Sequence, residues 1–480
     1  MLYNLNFLRR GEIFPPREEL ERLEAYRVND MLLNDEPWAA LPEHKQRVLF
    51  LLSNFSLAPD RDCYLYNANY WAELADKTKE LTFGERPTIK SEKKQDTLDE
   101  ILKQTGLYEK GEEGVGDLCA LGDWIVKVKD DEKGTGTFIN VDPSIWFPVV
   151  DFEDVKSVKY HVLAWVVHNS ADTDKFELHT QIHEKGKYTN RAFGIEGRAR
   201  EDTYTVAKTG QTIKANAYKL GAELNRACDD FKLGTFETHL DDFAIVHIPN
   251  DTISKSIYGR SDFDRITDAA IAYNTRMTLK DVVLDKHSAP LMYGPPISED
   301  ERVGNYLEVP PDDTKTPGYL VWDAAMTAVE NTIAALKEDT SNLSGMGSIL
   351  DNKTFGESQG YDALMIKLAP ALMRAAKKTA KIEPRLKKII SLVSQRGYER
   401  IAPEDIEIAW HAGIPTTESV RADIAAKHLA TGWSRKRVLM VDYGLSEEDA
   451  DKEIAQKESE TPPMPQMGYE EDDGEGSEDE

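Results

Sequence analysis

Residues 249–395 constrain this chain most, because they order two helix-like segments around a short excursion, then a loop, then a third helix that proline interrupts without ending. The first segment opens at Tyr258-Gly-Arg-Ser-Asp262, where Ser261 or Asp262 can accept from the first backbone N–H groups of a helix. Phe263, Ile266, Ala270, Tyr273, Met277 and Leu284 then recur at three- and four-residue steps as far as His287, predicting a helix on the order of 40 Å long. Pro290 and Gly294-Pro-Pro296 end it. Two short strands, at 305–309 and 318–322, follow across the turn residues 310–317. Asp323 caps a second helix carrying Met326, Val329, Ile333 and Leu336, so two helices flank a small β tip. Residues 340–360 read as a loop too long for a simple connector. The third helix, 361–395, holds its period through Leu364, Leu368, Leu372, Ala376, Leu386, Ile389 and Val393, with a kink expected at Pro370 and at Pro384.

The rest of the chain predicts an α+β body. Helices are expected at 16–36 and 43–82, strands at 124–128, 137–141, 160–167, 175–182 and 243–248, and a strand at 406–410. Closing helices are expected at 417–430, at 434–443 with Gly444 as C-cap, and from 446 onward. Beyond 461 a Pro-rich stretch gives way to the like-charge block 469–480, expected to be a disordered acidic tail.

With these pieces in place the chain resembles the tailed-bacteriophage portal proteins, in particular the siphophage type. The residues that carry the resemblance are Thr78-Lys-Glu-Leu-Thr-Phe-Gly-Glu-Arg-Pro-Thr-Ile-Lys90, Ile248-Pro-Asn250 leading to Tyr258-Gly-Arg-Ser-Asp262, Gly356-Glu-Ser-Gln-Gly-Tyr-Asp-Ala-Leu364, and Ile408-Ala-Trp-His-Ala-Gly-Ile-Pro415. The resemblance implies an α/β wing over 1–250, stem helices at 251–287 and 323–340, a β clip at 288–322, a tunnel loop at 341–360, a kinked wing helix at 361–399, and a wing strand with a helical crown at 400–460. It further implies a twelve-subunit ring at one capsid vertex of the virion, made in the host cytoplasm, through which a separate terminase drives double-stranded DNA. The implied partners are further copies of the chain, the terminase large subunit, a head–tail connector or adaptor, and capsid and scaffolding proteins. Within the implied collar Asp351, Asn352 and Lys353 are expected nearest the DNA, and Tyr293, Asn305, Tyr306, Tyr319 and Trp322 are expected to serve docking at the clip.

Charge and motifs narrow the alternatives. With 86 carboxylates against 59 Lys and Arg the net charge is −27, which argues against gripping DNA by phosphate neutralisation and is compatible with a conduit through which duplex slides. The longest apolar run, 161–168, is too short to span a membrane, and the first residues lack a signal-peptide pattern. Cys63, Cys119 and Cys228 stand singly and suggest neither a disulfide framework nor a metal site, and His247, His287, His411 and His428 lack ligand-spaced partners. No cofactor is expected: no P-loop occurs, and Gly111-Glu-Glu-Gly-Val-Gly116 lacks both the last glycine of a dinucleotide fingerprint and a preceding strand. Gly356-Glu-Ser358-Gln-Gly360 satisfies G-x-S-x-G, so a serine hydrolase using Ser358, with Asp405 or Asp423 and His411 or His428, is one alternative. The polar approach 351–355 is a poor central strand, which favours Ser358 as a helix cap and a chain that is not an enzyme. Another phage head or tail structural protein is the second alternative. The basic run 377–388 reads as a solvated helix face, a source of subunit salt bridges, or a DNA-facing surface.

Overall fold

The computed structural model describes residues 1–53, 61–168, 175–197, 200–205, 212–288, 291–296, 306–309, 318–320, 326–350, 361–411, 418–445 and 447–460. Helices and sheets are mixed along the chain, so the fold is α+β as expected. Two compact units form: Met1–Ser358 with Ile366–Gly413, and Gln359–Met365 with Ile414–Glu480. Among the described residues no helix is long and apolar enough to cross a membrane.

Sheets organise the larger unit. Trp146–Val150 is buried at every position, a run without alternation that places it against protein on both faces. It edges a sheet whose order continues through Val158–His168, Phe176–Glu184, Lys187–Ile195, Thr212–Glu223 and Ile13–Phe14, with antiparallel pairing between neighbours. A second sheet holds Asp123–Asp130 between Gly136–Val141 and Ile245–Pro249, with Trp124 opposite Ile248. The five body strands expected from the sequence are therefore present.

The helices depart from expectation in instructive ways. The stretch expected as one helix over 43–82 is split into Pro42–Ser53 and Tyr70–Phe83, because Asn69 accepts from the Ala72 N–H at 3.0 Å and starts the second helix afresh. The first N-terminal helix is Leu20–Leu33, with Pro37–Ala40 as a separate turn. Helices Gln95–Thr105 and Leu107–Ala120 fill a region assigned no element from the sequence. A Cβ at Gly114 would lie 2.0 Å from the Trp124 ring, so glycine lets that helix sit flush on the second sheet.

The helix–tip–helix order is present. The first of these helices is Thr267–Ser288, about 33 Å long, preceded by a 3-10 turn at Phe263–Arg265; it starts later than expected because Ser261 accepts from the Phe263 N–H at 3.0 Å and caps that turn instead. At the tip, Leu291–Gly294 runs parallel to Tyr306–Glu308 and antiparallel to Gly318–Leu320. The second helix, Met326–Ser344, continues past the expected boundary at 340, so the start of the expected tunnel loop is helical. Tyr361–Ser394 is a single helix through both Pro370 and Pro384. Its Ile382, Leu386, Ile389 and Val393 are buried with Trp124, Val126 and Phe138 in the core.

Ile406–Ala409 pairs antiparallel with Thr88–Ser91 inside the larger unit. The smaller unit carries Glu418–Ala430, Arg435–Asp442 and Glu447–Glu460, with Ser434 accepting from the Arg437 N–H at 3.2 Å. The acidic segment 461–480 lies outside the described residues.

Candidate functional site

The two helices that flank the tip, Thr267–Ser288 and Met326–Ser344, form a stalk, and the motifs 248–250 and 258–262 and the basic run of the long helix, separate in sequence, meet at the base of the first stalk helix. Segment 258–262 is clamped along its length. The Tyr258 hydroxyl donates to Glu19 Oε2 at 2.6 Å, and the Gly259 N–H donates to Asp123 Oδ1 at 2.8 Å. The Ser261 hydroxyl donates to the Ala120 carbonyl at 2.6 Å. Gly259 is required here, since a Cβ would lie 2.0 Å from the Gly122 carbonyl oxygen. Asp123 also accepts from the Tyr26 hydroxyl at 2.5 Å and lies 2.7 Å from His247 Nε2.

Asp262, thus fixed, is buried and faces the long helix. Lys378 Nζ stands 2.6 Å from Oδ2 and Arg374 Nη2 2.7 Å from Oδ1, while Asn250 Nδ2 donates to Oδ1 at 2.9 Å. Burial pushes the Asp262 carboxyl up, but Lys378 and Arg374 outweigh it and hold the group well below the usual carboxylate range. Lys378 also donates to Asn250 Oδ1 at 2.6 Å, and Arg374 donates to the Ser344 carbonyl at the end of the second stalk helix. One buried carboxylate, with Arg374, therefore joins the turn before the first helix and the end of the second to the middle of the long helix.

A second, more open tier surrounds Asp251. Arg265 Nη2 lies 2.9 Å from Oδ2, Lys377 Nζ 3.4 Å and Lys381 Nζ 3.8 Å from Oδ1. Together the two tiers set five cations against two carboxylates around a groove of about 310 Å³. Lys377 and Arg265 are the exposed members, at 64% and 54%. The inner tier fastens helices together, and the outer tier presents excess positive charge in a chain of net charge −27. The basic run is thus divided between a buried clamp at Lys378 and a more open rim at Lys377 and Lys381, an intrachain role that none of the three sequence readings named.

At the β tip, where the resemblance implies the clip, the register sets Met292 opposite Tyr306 on one side and Tyr319 on the other, and Tyr293 opposite Leu307 and Gly318. The Tyr306 hydroxyl donates to the Pro295 carbonyl at 2.7 Å. Asn305, Trp322, Asp351, Asn352, Lys353 and Ser358 lie outside the described residues. Of the side chains considered with Ser358, Asp405 pairs with Lys93 at 3.2 Å and His411 Nε2 lies 3.0 Å from Thr88 Oγ1. His428 stacks on Trp433 and pairs with Asp442 at 2.8 Å.

No protein-family model matches the chain, and no curated protein matches it. Among solved structures it is similar to a chain in the virion of a native gene transfer agent particle, at 13% identity over 78% of this chain and 90% of that one, with a TM-score of 0.40. It is likewise similar to a chain in the neck of an empty gene transfer agent particle computed with C6 symmetry, at 13% identity over 79% and 90% of the two chains, with a TM-score of 0.40. A likeness this distant carries no argument about what the chain does.

Proposed function

We propose that the chain is a portal-type subunit: twelve copies close into a ring at a capsid vertex, and DNA enters and leaves through the hole while terminase and a head–tail adaptor dock on the clip. The observation that carries this reading is the uncovered state of the stalk. Met326–Ser344 has 19 residues, yet most of its positions from 327 to 339 are exposed. Helices in water owe most of their stability to packing, so a helix this bare in one chain calls for a neighbour. Apolar side chains on the same three helices point the same way: Leu284 is 47% exposed, Val329 38%, Leu343 50%, Ile366 75% and Met373 74%. A closed ring of identical chains covers such surfaces on every subunit at once.

On this reading the Asp262 clamp holds the stalk rigidly on the body, the clip is the docking tip, and residues 351–353 border the channel. Protein docking and DNA passage are both geometric roles, with no catalytic step. Negative-stain images of the purified chain test the proposal. Rings with a central hole wide enough for duplex support it, and a monodisperse monomer at high protein concentration overturns it.

A further inference from the structure

Outside the clamp and the clip, three side chains of different chemistry converge beside the large sheet. Glu177 and His179 stand two residues apart on strand Phe176–Glu184, which puts both on one face. Cys228 approaches them from the segment after Thr212–Glu223. His179 Nε2 lies 3.2 Å from Glu177 Oε2 and 3.7 Å from Cys228 Sγ, and all three ligand atoms fall within 4.8 Å of one another. Asp229 Oδ2 lies 3.6 Å from the same sulfur. A tetrahedral zinc site with ordinary Zn–N, Zn–O and Zn–S bonds separates its ligand atoms by roughly 3.3–3.6 Å, so the two spacings to His179 are close to those of a coordination shell and the third needs at most a small side-chain adjustment to close on an ion.

The surroundings fix the ligands before any ion arrives. His179 is 3% exposed and stacks on Phe231 with centroids 4.4 Å apart and planes 10° apart, and Trp165 closes on its edge at 6.2 Å. The Cys228 N–H donates to Glu177 Oε2 at 2.9 Å, orienting the carboxylate as outer hydrogen bonds orient metal ligands. Glu177 is 7% exposed, whereas Cys228 is only partly buried, which leaves an entry path on the sulfur side.

We propose that Glu177, His179 and Cys228 bind one zinc-like divalent ion, with the fourth position beside Asp229 taken by that carboxylate or by water. A thiolate and an imidazole in the same set favour zinc or cobalt over magnesium or calcium. Binding releases the thiol proton to solvent and ties the segment around Cys228 to the sheet. The site does not depend on the portal-type assignment.

The full chain, stripped with chelator and titrated with Co²⁺ alone, tests this through its absorption spectrum. The expected result is a thiolate-to-cobalt charge-transfer band with tetrahedral ligand-field bands, saturating at one equivalent and reversed by Zn²⁺. Cys228→Ser abolishes the charge-transfer band, His179→Gln weakens binding at least tenfold, and Cys63→Ser, at the exposed thiol, leaves the spectrum unchanged. Circular dichroism checks that each variant folds. Should His179→Gln fail that check, Cys228→Ser decides alone, since its position is partly exposed and its volume is kept. Absence of the band, its survival in Cys228→Ser, or its loss in Cys63→Ser overturns the proposal.

Discussion

Burial, reinforced by Asp142 and Glu113, pushes the Asp117 carboxyl up to about 7, although the same group ionises near about 4 in an unfolded chain. A raised acid pKa means that the folded state keeps a proton that the unfolded state has lost. Stability therefore falls as pH rises from about 4 to about 7, by a few kcal/mol on the order-of-magnitude scale of linkage. Asp117→Asn removes this dependence: urea melts are expected to match wild type near pH 4 and to show a more stable variant at pH 8. Asp262 behaves in the opposite sense. Burial opposes its ionisation, but Lys378 and Arg374 depress it, so its contribution is present above the unfolded carboxylate pKa and is lost as pH falls through the folded one. At neutral pH, Asp262→Ala leaves two nearly buried cations facing each other and is expected to cost roughly 3–5 kcal/mol in a denaturant melt. A loss below about 1 kcal/mol would mean that the cations find solvent instead.

Elements were readable wherever periodicity was long and strong. The stalk helices, the long helix and the second sheet follow directly from apolar spacing, and Pro370 and Pro384 fail to break a helix whose later half is anchored in the core by Ile382, Leu386 and Ile389. Leu107–Ala120 was missed because Gly111, Gly114 and Gly116 depress helix propensity, and only their packing partners explain them: Phe83 against Gly111, Trp124 against Gly114 and Lys79 against Gly116. Trp146–Val150 was missed because a fully buried strand shows no alternation. The second stalk helix supplies the test at this scale. Val329→Glu and Leu343→Glu alter exposed positions, so the monomer's melting behaviour is expected to shift by no more than about 0.5 kcal/mol. If the proposed ring forms, size-exclusion chromatography is nevertheless expected to show its loss, because on that reading the substitutions place charge in the surface a neighbouring copy would cover. An unchanged elution position for both variants would remove this helix from the subunit interface.

For the whole molecule, the architecture was more legible than the sites. Asp262 and Lys378 are more than a hundred residues apart, as Tyr258 and Glu19 are, and no period links such pairs. The sequence could mark 248–250, 258–262 and the basic run as three motifs but could not show that they meet. Cys228 looked solitary for the same reason: its neighbours Glu177 and His179 come from a strand some fifty residues earlier, and the only local signal was two ligand-type residues at strand spacing. The helix–tip–helix order survives as the central feature, now with a bare second helix that asks for copies of itself. Sedimentation velocity on the purified wild-type chain over a wide concentration range tests that claim most directly. The account predicts a discrete species near twelve chain masses that persists on dilution. A single species at one chain mass across the whole range would contradict it.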